Sequence, residues 1–99
     1  MKGAKERCDS AVQATEQAVA ETGLSLPQLR PDSGYAVASI ANANGLVRYA
    51  LDRAKDARER ALRYAQRGWV AQTVHEVRIA EDAAKLAARC VETLRRMLP

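Results

Sequence analysis

The chain is expected to fold as an all-α, antiparallel three-helix bundle: a short N-terminal helix packed on a long, alanine-rich helical hairpin. Three observations predict it. Apolar residues recur at alternating steps of three and four over most of the sequence, the rhythm of a helix–helix seam. Gly68 divides the longest such stretch into two arms of nearly equal length. Alanine supplies about a fifth of the 99 residues and Phe is absent, so helix axes can approach to the short end of the usual ~8–10 Å.

The first helix reads from Ala4 to Thr22, with Cys8, Ala11, Val12, Thr15, Ala18, Val19 and Thr22 on one face. That face is narrow and weakly apolar, so the helix can pack but would hardly stand alone. Gly23 is expected to end it in the left-handed conformation, with Leu24 reaching back to Val19. Residues 23–34 read as the linker, because Pro27 and Pro31 cannot continue a helix, and Asp32 or Ser33 can cap the next one. Leu24, Leu26 and Leu29 are expected to plug the open end of the bundle near Ile40 and Met97; an exposed docking loop is the alternative.

Tyr35 to Arg67 reads as one long helix. Its seam is Ala43, Val47, Ala50, Ala54, Ala57, Ala61, Tyr64 and Gly68. Asn42, Asn44 and Gly45 are its weak point, since Gly costs ~1 kcal/mol against Ala inside a helix. The apolar rhythm survives across them, which predicts a bend or a close helix crossing and not a break. Gly68 then makes the turn, with Trp69 folding back onto Tyr64. The third helix, 69–98, carries the facing seam Val70, Val74, Val77, Ala80, Ala84, Ala87, Val91, Leu94 and Leu98. Thr73 to Glu76 also fits a capping box that would start this helix one turn later. A further stripe of Ile79, Ala83, Leu86, Cys90 and Met97 calls for a second neighbour: the first helix, another chain, or both.

The length suits one domain with a modest core, and a core of small side chains is thin. Self-association is therefore expected as a source of further burial. No apolar run approaches the ~20 residues of a membrane span, and the stretch after Met1 lacks a signal peptide's apolar core. Cys8 and Cys90 have no CxxC or metal-ligand spacing and read as reduced thiols of a cytoplasmic protein. A disulfide between them is disfavoured by their different heights along the bundle. No cofactor or metal site is expected.

The net charge of +4 is placed unevenly. Between Tyr35 and Arg67 there are seven basic residues against Asp52, Asp56 and Glu59. Arg53, Arg60 and Arg67 recur every seven residues and so share a face, with Arg63, Tyr49 and Tyr64 close by. These six are the candidate partner-binding residues. An Arg row with nearby Tyr suits an acidic protein partner, or a phosphate backbone with bases to stack. The spacings Arg48–Asp52, Lys55–Glu59, Asp56–Arg60 and Glu59–Arg63 also predict ion pairs along a solvated face.

His75 is the sole histidine, expected at the edge of the core and satisfied by a local partner. Over four residues, His75-Glu76-Val77-Arg78 is similar to the phosphoacceptor box of sensor histidine kinases. The proline that follows that box in the family is absent here, and the box falls on the second arm of the hairpin instead of the first. Three functions thus stand as expectations. The first is a non-enzymatic interaction module, such as an adaptor, small subunit or regulator, acting through outer helix faces on a protein partner or a second copy. The second is a nucleic-acid-associated protein using the basic stripe. The third is a small helical enzyme or phosphotransfer module centred on His75.

Overall fold

Three α-helices, α1 (Ala4–Ser25), α2 (Gly34–Gln66) and α3 (Val70–Met97), pack against one another in every pairing. The computed structural model describes residues 3–25 and 34–97, and side chains over 3–23 and 42–96. The expected linker leucines, the caps at Asp32 and Ser33, and Met97 and Leu98 as packing side chains lie outside the described residues. Among the described residues there is no strand, so the all-α bundle is shown.

Cross-helix contacts fix the directions of the three rods. Arg7 holds Glu81 at one end of α1, and Glu21 holds Arg95 at the other, both with an offset of 74 residues. A constant offset means that α1 and α3 run parallel. Contacts between α1 and α2 move instead from Thr22–Asn44 to Asp9–Arg58, so α2 is antiparallel to both. The chain's Cα extents are 55 × 19 × 15 Å. The 33 residues of α2 span about 50 Å at 1.5 Å per residue, which makes the bundle a rod one helix long.

Most of the alanine seam lies where the spacing places it, but Ala84 is only half-buried beside α1, and Ala83 of the expected second stripe is buried in its place. Val47, Ala50, Ala54, Ala57 and Ala61 are 0 % exposed, and Val77, Ala80, Ala87, Val91 and Leu94 close over them from α3. Val70 departs from the expectation: it is 72 % exposed, because it stands at the elbow where α2 has already ended and nothing remains opposite it. On α1, Cys8, Ala11, Val12, Thr15, Ala18 and Thr22 are buried as expected. The largest fully buried side chains are only Val47, Thr15, Thr22 and Cys8. At ~0.8 kcal/mol per buried methylene, such a core stabilises far less than a leucine-packed one of equal length.

Two buried threonines fit an apolar face because their hydroxyls are used inside their own helix. Thr15 Oγ1 donates to the Ala11 carbonyl at 2.6 Å, and Thr22 Oγ1 to the Val19 carbonyl at 3.0 Å. The Thr22 oxygen also accepts Asn44 Nδ2 at 2.8 Å. Asn44, 8 % exposed, is therefore an inter-helix pin. A buried polar pair bonded across two helices penalises a slip of register, since slipping would strand Asn44 without its partner.

That pin explains why the Asn-rich weak point does not break α2. Gly45 next to it is exposed, and a Cβ added there would meet nothing within 4 Å, so no close crossing occurs at this glycine. Gly45→Ala is accordingly expected to stabilise the fold by about 1 kcal/mol, raising Tm by ~4–8 °C. A lowered thermal midpoint in circular dichroism would contradict a continuous helix here.

The elbow follows the expected chemistry. Gly68 has φ 73°, its N–H donates to the Ala65 carbonyl at 3.1 Å, and the Trp69 N–H donates to the Tyr64 carbonyl at 3.0 Å. These are the paired bonds of a Schellman cap. Gly23 does not repeat this arrangement. It has no positive φ and α1 continues to Ser25, so the expected cap at Thr22–Gly23 is corrected. The capping box at Thr73 is not used either. Thr73 donates both its N–H (3.0 Å) and its Oγ1 (2.7 Å) to the Trp69 carbonyl, which places it inside a helix that has already begun at Val70.

Candidate partner-binding face

The side of the hairpin turned away from α1 is assembled from the elbow outward. Trp69, held back by the Gly68 cap, stacks on Tyr64 with ring centroids 5.8 Å apart and planes inclined by 25°. The Arg67 guanidinium lies 5.1 Å above the Trp69 ring, within cation–π range. One turn earlier on α2, Arg60 Nε is 3.1 Å from Glu76 Oε2 across the hairpin. Glu76 is only 7 % exposed. Its Oε2 accepts no well-aimed hydrogen bond, so the contact is a Coulombic pair whose N–H direction misses the oxygen. Arg60, Arg63, Tyr64 and Arg67 together line one small recess, and Tyr49, Arg53 and Arg60 share the next with Asp52 and Asp56.

All six candidate residues therefore fall in one continuous band along α2, and they divide by what holds them. Arg60 is committed to Glu76, Arg67 to Trp69, and Tyr64 to the same ring. Arg53 and Arg63 are exposed and make no ion pair among the described residues. The four ion pairs expected along α2 are absent among the described residues: none of Arg48–Asp52, Lys55–Glu59, Asp56–Arg60 or Glu59–Arg63 comes within 4.0 Å. Four of the six observed pairs join different helices instead. Arg58 reaches Asp9, Arg60 reaches Glu76, and α1 is clamped to α3 by the two-pronged Arg7–Glu81 and Arg95–Glu21 contacts. A long side chain gains more by bridging a close-packed neighbour than by ordering itself along its own solvated helix, where a pair is worth only ~0.3–0.5 kcal/mol.

Beyond Tyr49 the band turns apolar. Leu46 (47 % exposed) and Leu86 (36 % exposed) stand out, and Asn42, Ala43, Leu46, Arg89, Cys90 and Thr93 border a recess of about 340 Å³ between the two arms. The sequence reading missed Leu46, which hides beside Asn44 and Gly45. The signal was its spacing of three to Tyr49 and seven to Arg53, which puts it on the stripe already singled out for its arginines. Leu86 and Cys90 belong to the second stripe on α3, whose needed neighbour is not α1 at this height. Ile79, Ala83 and Cys90 of that stripe do pack on the core; Leu86 does not.

The two thiols are free, and they differ in setting. Cys8 is fully buried and Cys90 half-buried, in separate core clusters. Burial raises the pKa of both, and for Cys8 the carboxylates of Asp9 and Glu81 add to the rise against opposing Arg58 and Arg7. Iodoacetamide at pH 8 is expected to modify Cys90 before Cys8, and both more slowly than in urea. Because the folded chain keeps these protons above the ordinary thiol value of about 8.5, their contribution is complete below that pH. It is lost as pH rises from there through the raised native values. Faster alkylation of Cys8 than of Cys90 would contradict the burial.

His75 is corrected from a core-edge residue to an exposed one. It borders a recess with Tyr64, Gln72 and Glu76 and has no hydrogen-bond or ion-pair partner among the described residues. Also among them, no cluster of three or more His, Cys, Asp or Glu could hold a metal ion, and no helix is long and apolar enough to cross a membrane. Between α1 and α3 a wider groove of about 660 Å³ has Ala11, Ala14 and Ala84 along it and the Arg7–Glu81 pair at its wall. Comparison with known protein families, characterised proteins and solved structures finds no match.

Proposed function

We propose that this protein is a non-enzymatic interaction module that binds a protein, or a second copy of itself, through the outer face of the α2–α3 hairpin. The observation that carries the reading is the exposure of Leu46, Tyr49 and Leu86 on the side that α1 leaves uncovered. A 99-residue chain with so thin a core gains from burying its few large apolar side chains. Leaving three of them on one face is the pattern of a surface built for contact. The test is photo-crosslinking in the source cell, with a benzophenone side chain at Leu86 or, as control, at Gln13 on the outside of α1. Defined adducts from position 86 and none from position 13 are expected. Adducts from neither position, or equally from both, would defeat the reading.

A second reading, association with nucleic acid through the basic band, draws on Arg53 and Arg63 having no ion-pair partner among the described residues. Against it, the two aromatic rings at the elbow already stack on each other, and Arg67 covers Trp69, so they offer less free π-face to a base. Retention on heparin that falls with salt, with a slope reduced by Arg60→Gln with Arg67→Gln, would support it.

A further inference from the structure

We infer that the outer hairpin face receives an acidic, amphipathic α-helix from a different protein, with apolar side chains between Leu46 and Leu86 and carboxylates along the arginine row. The inference rests on the proposed role of this face and adds the chemistry of its occupant. The stripe of α2 from Asn42 to Arg67 is continuous and about 37 Å long, apolar at one end and cationic at the other. At the cationic end Arg53 and Arg63 are exposed donors with no ion pair among the described residues, while Arg60 and Arg67 are held in place by Glu76 and Trp69. Two unpaired and two anchored guanidiniums in four turns form a row to which carboxylates are complementary.

A second copy does not supply that complement. If two hairpin faces meet in parallel, arginine row faces arginine row. If they meet antiparallel about the apolar recess, the row faces the far end of the other copy. There, residues 34–47 of α2 contain no acidic residue, and the nearby Glu92 of α3 is already bonded to Arg96. Asp52 and Asp56 border the row's own recess, but Arg53, Arg60, Arg63 and Arg67 outnumber them. At the far end Arg89, Arg95 and Arg96 outnumber Glu92. Among the described residues both two-fold arrangements therefore set net positive charge against net positive charge, and charge favours a foreign partner. The groove between two arms also favours a helix over an extended segment. A helix satisfies its own N–H and C=O groups, whereas a lone strand lying on Leu46, Leu86 and Cys90 would leave its inward groups without partners.

The test uses the full chain and three labelled peptides of about 25 residues, the length that spans the stripe. Each has leucine at heptad spacing and a glutamate-rich segment in its N-terminal, central or C-terminal third. A matching set has lysine in place of glutamate. Saturable binding in fluorescence anisotropy is expected for at least one acidic peptide, weakening as salt rises, and none for its lysine counterpart. Arg53→Glu with Arg63→Glu, and separately Leu46→Asp with Leu86→Asp, are each expected to weaken binding at least tenfold with helical circular dichroism unchanged, since all four side chains lie at the surface. The inference is overturned if no acidic peptide binds. It also falls if polyglutamate or a 20-base-pair DNA duplex binds as tightly, if the leucine pair has no effect, or if the free protein sediments as a dimer that Leu46→Asp dissolves. Crosslinks from Leu86 to a partner without an acidic helix would leave the interaction role standing while removing this one.

Discussion

Ala57→Leu is expected to destabilise the bundle by about 3 kcal/mol, the upper part of the usual range for overpacking a closed core. Ala57 is fully buried on α2 within the cluster that joins Cys8, Ala11, Ala61, Val77 and Ala80. Three helices converge there, so a leucine cannot be accommodated by turning one rotamer aside. The arms must separate, and every alanine above and below then loses its contacts together, since the seam is straight and its side chains are too short to follow. At ~4–8 °C per kcal/mol for a domain of this size, the thermal midpoint should fall by roughly 12–24 °C. Ala20→Leu, on the exposed outer side of α1, is the control, because its helix propensity changes as little while nothing is overpacked. Equal midpoints for the two variants would mean that the rods are not held together by close approach.

The same seam shows what the sequence made legible. A run of small residues at three-and-four spacing has only one use in water, so the hairpin, its register about Gly68 and the buried face of α1 could all be read from residue identity. The Schellman cap was equally plain, because Gly68 followed by Trp69, five residues after Tyr64, satisfies both its backbone and its apolar requirement. What could not be read was choice among equivalents. Gly23 looks like Gly68 in isolation, yet α1 continues through it to Ser25. Asn44 looks like a helix weakness because its partner, Thr22, is 22 residues away and appears only once α1 is docked.

The charged residues failed for a related reason. Spacing along one helix identifies pairs that could form, but each arginine selects among every carboxylate within reach. Arg58 and Arg60 choose Asp9 and Glu76 on neighbouring helices over the acids on their own. Of the candidate site, the basic row was therefore visible in sequence. Its division into anchored and free arginines, and its continuation into the Leu46–Leu86 patch, depend on which face α1 covers.

Arg60→Met is expected to cost about 2 kcal/mol, and the whole of that cost should trace to Glu76. Glu76 is the most deeply buried acid among the described residues whose burial class is given, and Arg60 is its one ion-pair partner among them. Removing a guanidinium from a buried carboxylate leaves an uncompensated charge, which costs ~3–5 kcal/mol in a closed interior. The value is reduced here because Arg60 is itself 38 % exposed, and water can partly replace it. Glu76→Leu alone exchanges a poorly aimed pair for an apolar side chain of similar volume and should change stability by less than ~1 kcal/mol. The double variant should then lie close to Glu76→Leu, because without the carboxylate the guanidinium has nothing to stabilise. Urea midpoints of the four proteins close a double-mutant cycle, with an expected coupling of ~1–2 kcal/mol. Additive single effects would show that Glu76 is not held by Arg60, and would return Arg60 to the group of arginines free to meet a partner.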